Sequence, residues 1–178
     1  MIKIISEQIA RIIKSKKKLE KTLNLKITNR GKELTIQGKP EDEYLGQKVI
    51  DAINFGFLVS TALLIKTQDN LFEIIPIKDY TKRKNMKIIR ARLIGTKGKT
   101  LKNLTSLTNS HIEINANEVG IIASPENLEI TQNAIISIIQ GAKHEHIYSF
   151  LTKNRAQTIQ DFGLKKRPGQ DSNLRPNG

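Results

Sequence analysis

Gly95-Thr96-Lys97-Gly98, followed at once by Lys99, Thr100 and Lys102, is the stretch on which the fold reading turns. Two glycines bracketing two polar residues, between two helical patterns, let a backbone approach a run of phosphates that any Cβ would hold off. Four residues alone recur by chance, so the surroundings carry the weight. From Lys82 to Lys102 there are nine basic residues (Lys82, Arg83, Lys84, Lys87, Arg90, Arg92, Lys97, Lys99, Lys102) and no acid, with Asp79 and Glu113 as the flanking carboxylates. A basic run is usually a solvated face; one that straddles a glycine loop points to a phosphate-bearing partner.

Working outward, the 178 residues suffice for one ordinary domain or two small ones, and 38% hydrophobic residues suffice for compact cores. A formal charge of +13 argues for a polyanion, either nucleic acid or an anionic membrane. No apolar run approaches the roughly 18 to 20 residues that span a bilayer, and Met1-Ile2-Lys3 lacks a signal-peptide pattern, so a cytoplasmic protein without membrane partners is expected. The absence of cysteine excludes disulfides, thiol nucleophiles and thiolate metal sites.

Periodicity predicts an extended start at Ile2 to Ile5 and a helix from about Ser6, its N-cap, carrying Ile9, Ile12 and Ile13. The lysine-rich connection Lys14 to Lys18 leads to a helix with Leu19 and Leu23. Strands follow at Leu25 to Thr28 and Glu33 to Gln37, turned at Asn29-Arg30-Gly31. Pro40 opens a helix with Leu45, Val49, Ala52 and Ile53 as its buried stripe. After a bridging helix at Leu58 to Lys66 the order repeats. A strand at Leu71 to Ile77 precedes a helix at Asn85 to Ile94, the glycine loop, and a helix presenting Leu101, Leu104 and Leu107. Strands at Ile112 to Ile114 and Val119 to Ala123 then lead to a Pro125 helix with Leu128, Ala134, Ile135, Ile138 and Ile139.

A constant offset of 85 superposes the halves: Ile27 falls on Ile112, Ile36 on Ile121, Pro40 on Pro125, Ile50 on Ile135 and Ile53 on Ile138. At the loop the offset drops to 81, because Lys14-Ser15-Lys16-Lys17 stands where Gly95 to Gly98 is expected. The first unit has lost about one helical turn and both glycines, so its lysines attract phosphate without the backbone geometry to clamp it.

A β-α-α-β-β-α unit with Gly-x-x-Gly between its first two helices resembles a type I KH domain. Ile75 to Tyr80, Arg92-Leu93-Ile94-Gly95, Gly98-Lys99-Thr100, Gly141-Ala142-Lys143-His144 and Ile147 to Leu151 further resemble the archaeal and eukaryotic two-KH assembly factors of the small ribosomal subunit, the "partner of Nob" family. The resemblance implies an α+β fold with two tandem type I KH domains, the first divergent. The expected division is a KH-like unit at 1–57, a bridge at 58–70, a KH domain at 71–142, a C-terminal helix at 143–160 and a disordered tail at 161–178. It also implies an assembly chaperone, not a catalyst, that binds the single-stranded 3′ region of small-subunit rRNA. Implied partners are the Nob endonuclease and the alpha subunit of the initiation factor that carries initiator tRNA. No cofactor is called for.

On this reading the backbone N–H groups of Thr96, Lys97 and Gly98 face RNA, with the helix starting at Lys99 behind them and Lys97, Lys99 and Lys102 adding charge. Ile94, Leu101 and Ile114 stand either in the core or on a groove floor beneath the bases. Arg90 and Arg92 are expected on phosphate, with pairing to an acid such as Glu113 as the alternative. None of the aromatic residues lies between Lys82 and Glu113, which weighs against stacking platforms.

Gly98-Lys99-Thr100 also resembles the end of a nucleotide-binding P-loop, but that motif requires glycine at position 93, which is Leu93. His144 and His146, two apart, point to different sides of a helix and are expected on its surface. Two rivals remain open: a general KH adaptor in RNA decay or translation control, and a protein-interaction scaffold that needs no RNA. Beyond Gln160 the tail has no apolar periodicity. Its Asp171-Ser172-Asn173 can be encoded by GAT-TCG-AAC, whose reverse complement is similar to a tRNA T-arm. Either the frame runs into an adjacent antisense tRNA gene, with the selected protein expected to end shortly after the helix near Gln160, or this stretch is an ordinary basic tail.

Overall fold

The computed structural model describes residues 1–161, with the side chains of 155–161 excepted. The expectation for the tail beyond them lies outside the described residues. The first unit runs β1 (Ile2–Ile5), α1 (Ile9–Lys14), α2 (Lys16–Leu23), β2 (Lys26–Arg30), β3 (Glu33–Gln37) and α3 (Pro40–Phe55). Two short helices, α4 (Val59–Ala62) and α5 (Leu64–Thr67), bridge to the second. There β4 (Leu71–Pro76), α6 (Met86–Ile94), α7 (Lys99–Thr108), β5 (His111–Asn115), β6 (Glu118–Ala123) and α8 (Pro125–Gln140) repeat the order, and α9 (His144–Asp161) follows.

Each unit builds a three-stranded antiparallel sheet with its last strand in the centre, in the orders β1-β3-β2 and β4-β6-β5. Ile27 lies directly opposite Ile36, and 85 residues on Ile112 lies opposite Ile121. All four are buried against the helices of their own unit. The helices α3 and α8 are both 16 residues long, both carry proline in the first turn, and end on Gly56 and Gly141, each at positive φ. Asn24 and Asn109, also 85 apart, close α2 and α7 in the left-handed conformation that asparagine tolerates.

Several local expectations are corrected. The first helix starts at Ile9 rather than Ser6, because Ser6 is buried: its hydroxyl accepts the N–H of Gln8 and bonds Asn54 Oδ1 on α3. In so short a helix only Ile9 and Ile12 meet the core, and Ile13 stays 45% exposed. Lys16 to Lys18 are no connection but the first turn of α2, joined to α1 by Ser15 alone. The deletion therefore removes the loop itself. Arg30 pairs with Glu33, so the hairpin turns at Gly31-Lys32 and Asn29 remains in the strand. On α7 the fully buried row is Thr100, Leu104 and Thr108, at i, i+4 and i+8, while Leu101 and Leu107 are half-buried. The bridge breaks into two helices at Leu63, and the strand at Leu71 ends at Pro76, where Ile77 enters a 3-10 turn.

The sheet of the second unit is covered on both faces. Val119, Ile121 and Ala123 enter its own core, whereas Ile122 belongs to the first unit's core. Phe55, Phe57 and Phe72 meet there with ring centroids 5.9 to 6.2 Å apart, and Asn115 Nδ2 donates to the carbonyl of Phe55 at 2.8 Å. The corresponding face of the first sheet carries Lys3, Thr28 and Thr35, with Ile5 exposed at the end of β1, and none of these side chains is buried.

Candidate nucleic-acid interface

The loop between α6 and α7 is held in a shape that requires glycine at its first end and favours it at its second. Gly95 sits at φ 73°, ψ 173°, and Gly98 at φ 74°, ψ 11°. A Cβ on Gly95 would also collide with the first turn of α7, 2.7 Å from Thr100 Cβ and 2.8 Å from Thr100 N. Gly98 has open space around it, so its requirement is conformational alone. Lys97 between them is forced to φ 53°.

One of the three expected donors is used internally. The N–H of Gly98 donates to the carbonyl of Gly95 at 3.1 Å and closes the turn. The N–H groups of Thr96 and Lys97 have no partner among the described residues. Both side chains are exposed, as are those of Lys99 and Lys102, and the ten-residue α7 begins directly behind them.

Beside the loop, Ile94 is 39% exposed, Leu101 is half-buried, and Ile114 lies on the helix-facing side of β5 opposite Val119. Leu101 and Ile114 pack against the second core while keeping an accessible edge, so the choice between core and floor is not exclusive. Arg90 stands one turn before Ile94 on the same row of α6, and its Nη1 donates to the carbonyl of Ala116 in the β5–β6 turn at 2.9 Å. Arg92 leaves the opposite side of α6, and its Nη2 donates to the carbonyl of Ala142 at 2.8 Å.

Arg90 and Ile94 thus end α6 before the loop of Gly95, Thr96, Lys97 and Gly98; Lys99, Leu101 and Lys102 open α7 after it; Ile114 lies on the helix-facing side of β5, and Arg92 leaves α6 on the other side. Neither arginine meets Glu113. That carboxyl opposes Gly120 on the face turned to the first unit, where burial pushes its pKa up and Arg11 of α1 opposes the shift. All four ion pairs among the described residues lie in the first unit and its bridge, so none of the nine cations from Lys82 to Lys102 has an acidic partner there. His144 bonds the carbonyl of Arg92 through Nε2 at 3.2 Å, tying the start of α9 to the last turn before the loop. Periodicity gave no hint of this link or of the separation of Arg92 from Arg90.

Three helices on a β4-β6-β5 sheet, with the glycine loop joining the first two, define a KH domain. Residues 71–156 match the family model described as the eukaryotic type KH domain, KH domain type I. A KH domain-containing protein of Methanocaldococcus jannaschii is 29% identical over 147 residues, covering 79% of this chain and 65% of that protein. The pre-rRNA-processing protein pno1 of Aspergillus fumigatus is 27% identical, covering 82% of this chain and 60% of that protein. The chain thus spans less than two-thirds the length of these relatives. A crystal structure of an a/eIF2alpha–aDim2p–rRNA complex from Pyrococcus horikoshii OT3 contains a chain of the same fold, with a TM-score of 0.78 and 24% identity, over 88% of this chain and 94% of that one. Over residues 71–156 the chain is thus similar to the type I KH-domain family, and over most of its length it is similar to the PNO1-like KH proteins.

Proposed function

We propose that this chain binds single-stranded RNA in the second unit and serves, without a chemical step of its own, in the maturation of small-subunit rRNA. The observation that carries the reading is the loop from Gly95 to Gly98, with two N–H groups that have no partner among the described residues and cations without acidic partners on either side. A KH loop of this kind clamps the backbone of about four nucleotides. Thr96 and Lys97 donate from the main chain, Lys97, Lys99 and Lys102 neutralise phosphate, and Arg90 reaches across from α6. Ile94, Leu101 and Ile114 give the bases an apolar floor. The first unit has no such loop, and its role is to buttress the sheet that carries the site.

The pre-rRNA-processing relatives, and the neighbour solved with rRNA and an initiation factor alpha subunit, support extending the target to the 3′ region of small-subunit rRNA. They support that alpha subunit as a partner. The Nob endonuclease follows from the family resemblance alone. Competition filter binding tests the target: the 3′ region should displace a labelled short RNA at lower concentration than unrelated single strands do. Equal competition by all strands would make the protein a general KH adaptor, and no retention of any RNA would leave a protein scaffold.

A further inference from the structure

Gly141, where α8 ends, is a second place at which cations converge. Arg83 Nη2, from the segment before α6, and Arg92 Nη1, from α6 itself, each stand 3.6 Å from the point that a Cβ of Gly141 would occupy. The backbone there is at φ 111°. Two guanidiniums thus share one side of a helix end, with the exposed Lys143 two residues along the chain. No ion pair among the described residues involves any of the three.

The carbonyl end of α8 draws cations, and Arg92 answers it directly; a second guanidinium at the same spot, with no carboxylate paired to either, leaves a planar fork of donors for an anion. Arg92 is aimed by its bond to the carbonyl of Ala142, which occupies Nη2 and leaves Nη1 toward the notch. The equivalent helix end of the first unit, Gly56, has no atom within 4 Å of its Cβ position. There a single arginine arrives, Arg11, whose Nη1 donates to the Gly56 carbonyl at 3.4 Å, so it is the meeting of two guanidiniums that is particular to the second unit. It lies on the α8–α9 side of α6, whereas the groove opens on the β5–β6 side, where Arg90 reaches the carbonyl of Ala116.

We propose that Arg83 and Arg92, converging over Gly141 with Lys143 beside them, form a second phosphate-binding site that holds a phosphodiester of the RNA strand flanking the groove. The proposal rests on the RNA-binding reading above and makes the footprint longer than the loop alone defines. A strand crossing the loop has nucleotides to spare on the far side of α6, and this notch is where their charge is met.

The test compares a four-nucleotide RNA, which fills the groove, with a ten-nucleotide RNA containing it, by fluorescence anisotropy across a potassium chloride series. The full chain is used as parent and as the double variant Arg83→Gln with Lys143→Gln, both at exposed positions. The parent should bind the ten-mer more tightly than the four-mer. The variant should lose about five- to tenfold on the ten-mer, with a log–log salt slope shallower by about 1, near the 0.7 per phosphate of single strands. Its four-mer binding should be unchanged. Unaltered ten-mer affinity and slope would overturn the second site alone, and equal losses on both RNAs would place Arg83 and Lys143 in the groove instead. An acidic peptide bound by the parent and lost in the variant, with ten-mer binding intact, would assign the notch to protein. A parent that binds neither RNA would overturn the RNA-binding reading and this site with it.

Discussion

Gly95 and Thr100 occupy one space: a Cβ on the glycine would lie 2.7 Å from the Cβ of the threonine and 2.8 Å from its backbone nitrogen. The loop can close only by letting α7 start against a bare Cα. Gly95→Ala should therefore cost stability, about 2 kcal/mol or more from the strained φ and the displaced helix start together. Gly98→Ala meets open space and should cost about 1 kcal/mol, from its left-handed φ alone. Urea unfolding followed by circular dichroism ranks the two, and a larger loss at Gly98 would contradict the packing argument.

Gly120 makes a comparable approach between the units. A Cβ there would stand 2.6 Å from Phe55 Cε1 and 2.8 Å from Phe57 Cε2, ring atoms fixed in the aromatic cluster. Gly120→Ala should cost about 1 to 3 kcal/mol in urea unfolding. It should leave the affinity for a short RNA within about twofold of the parent, because the groove lies on the sheet's other side.

The bridge is pinned by Lys66, which donates to Asp42 Oδ1 on α3 and, at 3.0 Å, to the carbonyl of Leu23 at the end of α2. The Lys66 bond holds the Asp42 carboxyl below its ordinary pKa, burial opposes this, and Asn24 assists. A depressed folded pKa gives stability that is present above the unfolded value, about 3.9, and lost as pH falls through the folded one. Asp42→Asn should thus lower Tm at pH 7 and narrow its gap from the parent as pH falls below about 4. A gap that stays constant with pH would show that the Asp42 charge contributes nothing. Asp51 and Glu113, whose pKa values burial raises, respond with the opposite sign, but they are common to both proteins and drop out of the comparison.

Those three sites differ in how far the chain announces them. The paired isoleucines, the two proline-led helices and the glycine loop were legible because each follows a short-range rule of period, cap or turn. The shared register of Ile27 with Ile36 and Ile112 with Ile121 turned an offset in numbering into matching sheets. The second face of β6 was not legible: Ile122 and Val119 are equally apolar, and only the packing of Phe55 and Phe57 tells which unit each serves. Gly120 inside a strand was the one signal of that close approach. At the site, charge marked Arg90 and Arg92 alike, yet helical phase sends them to opposite sides of α6. The bond that consumes the N–H of Gly98 depends on a backbone turn that no side-chain pattern records.

The most direct measurement is filter binding of a short single-stranded RNA by the parent and by Thr96→Asp combined with Lys97→Asp. Both side chains are exposed, so the fold should persist, with Tm within a few degrees of the parent. Two carboxylates beside the free N–H groups repel phosphate, and affinity should fall by at least about tenfold, with a shallower salt dependence. A folded double variant that binds RNA as tightly as the parent would contradict the glycine-loop account.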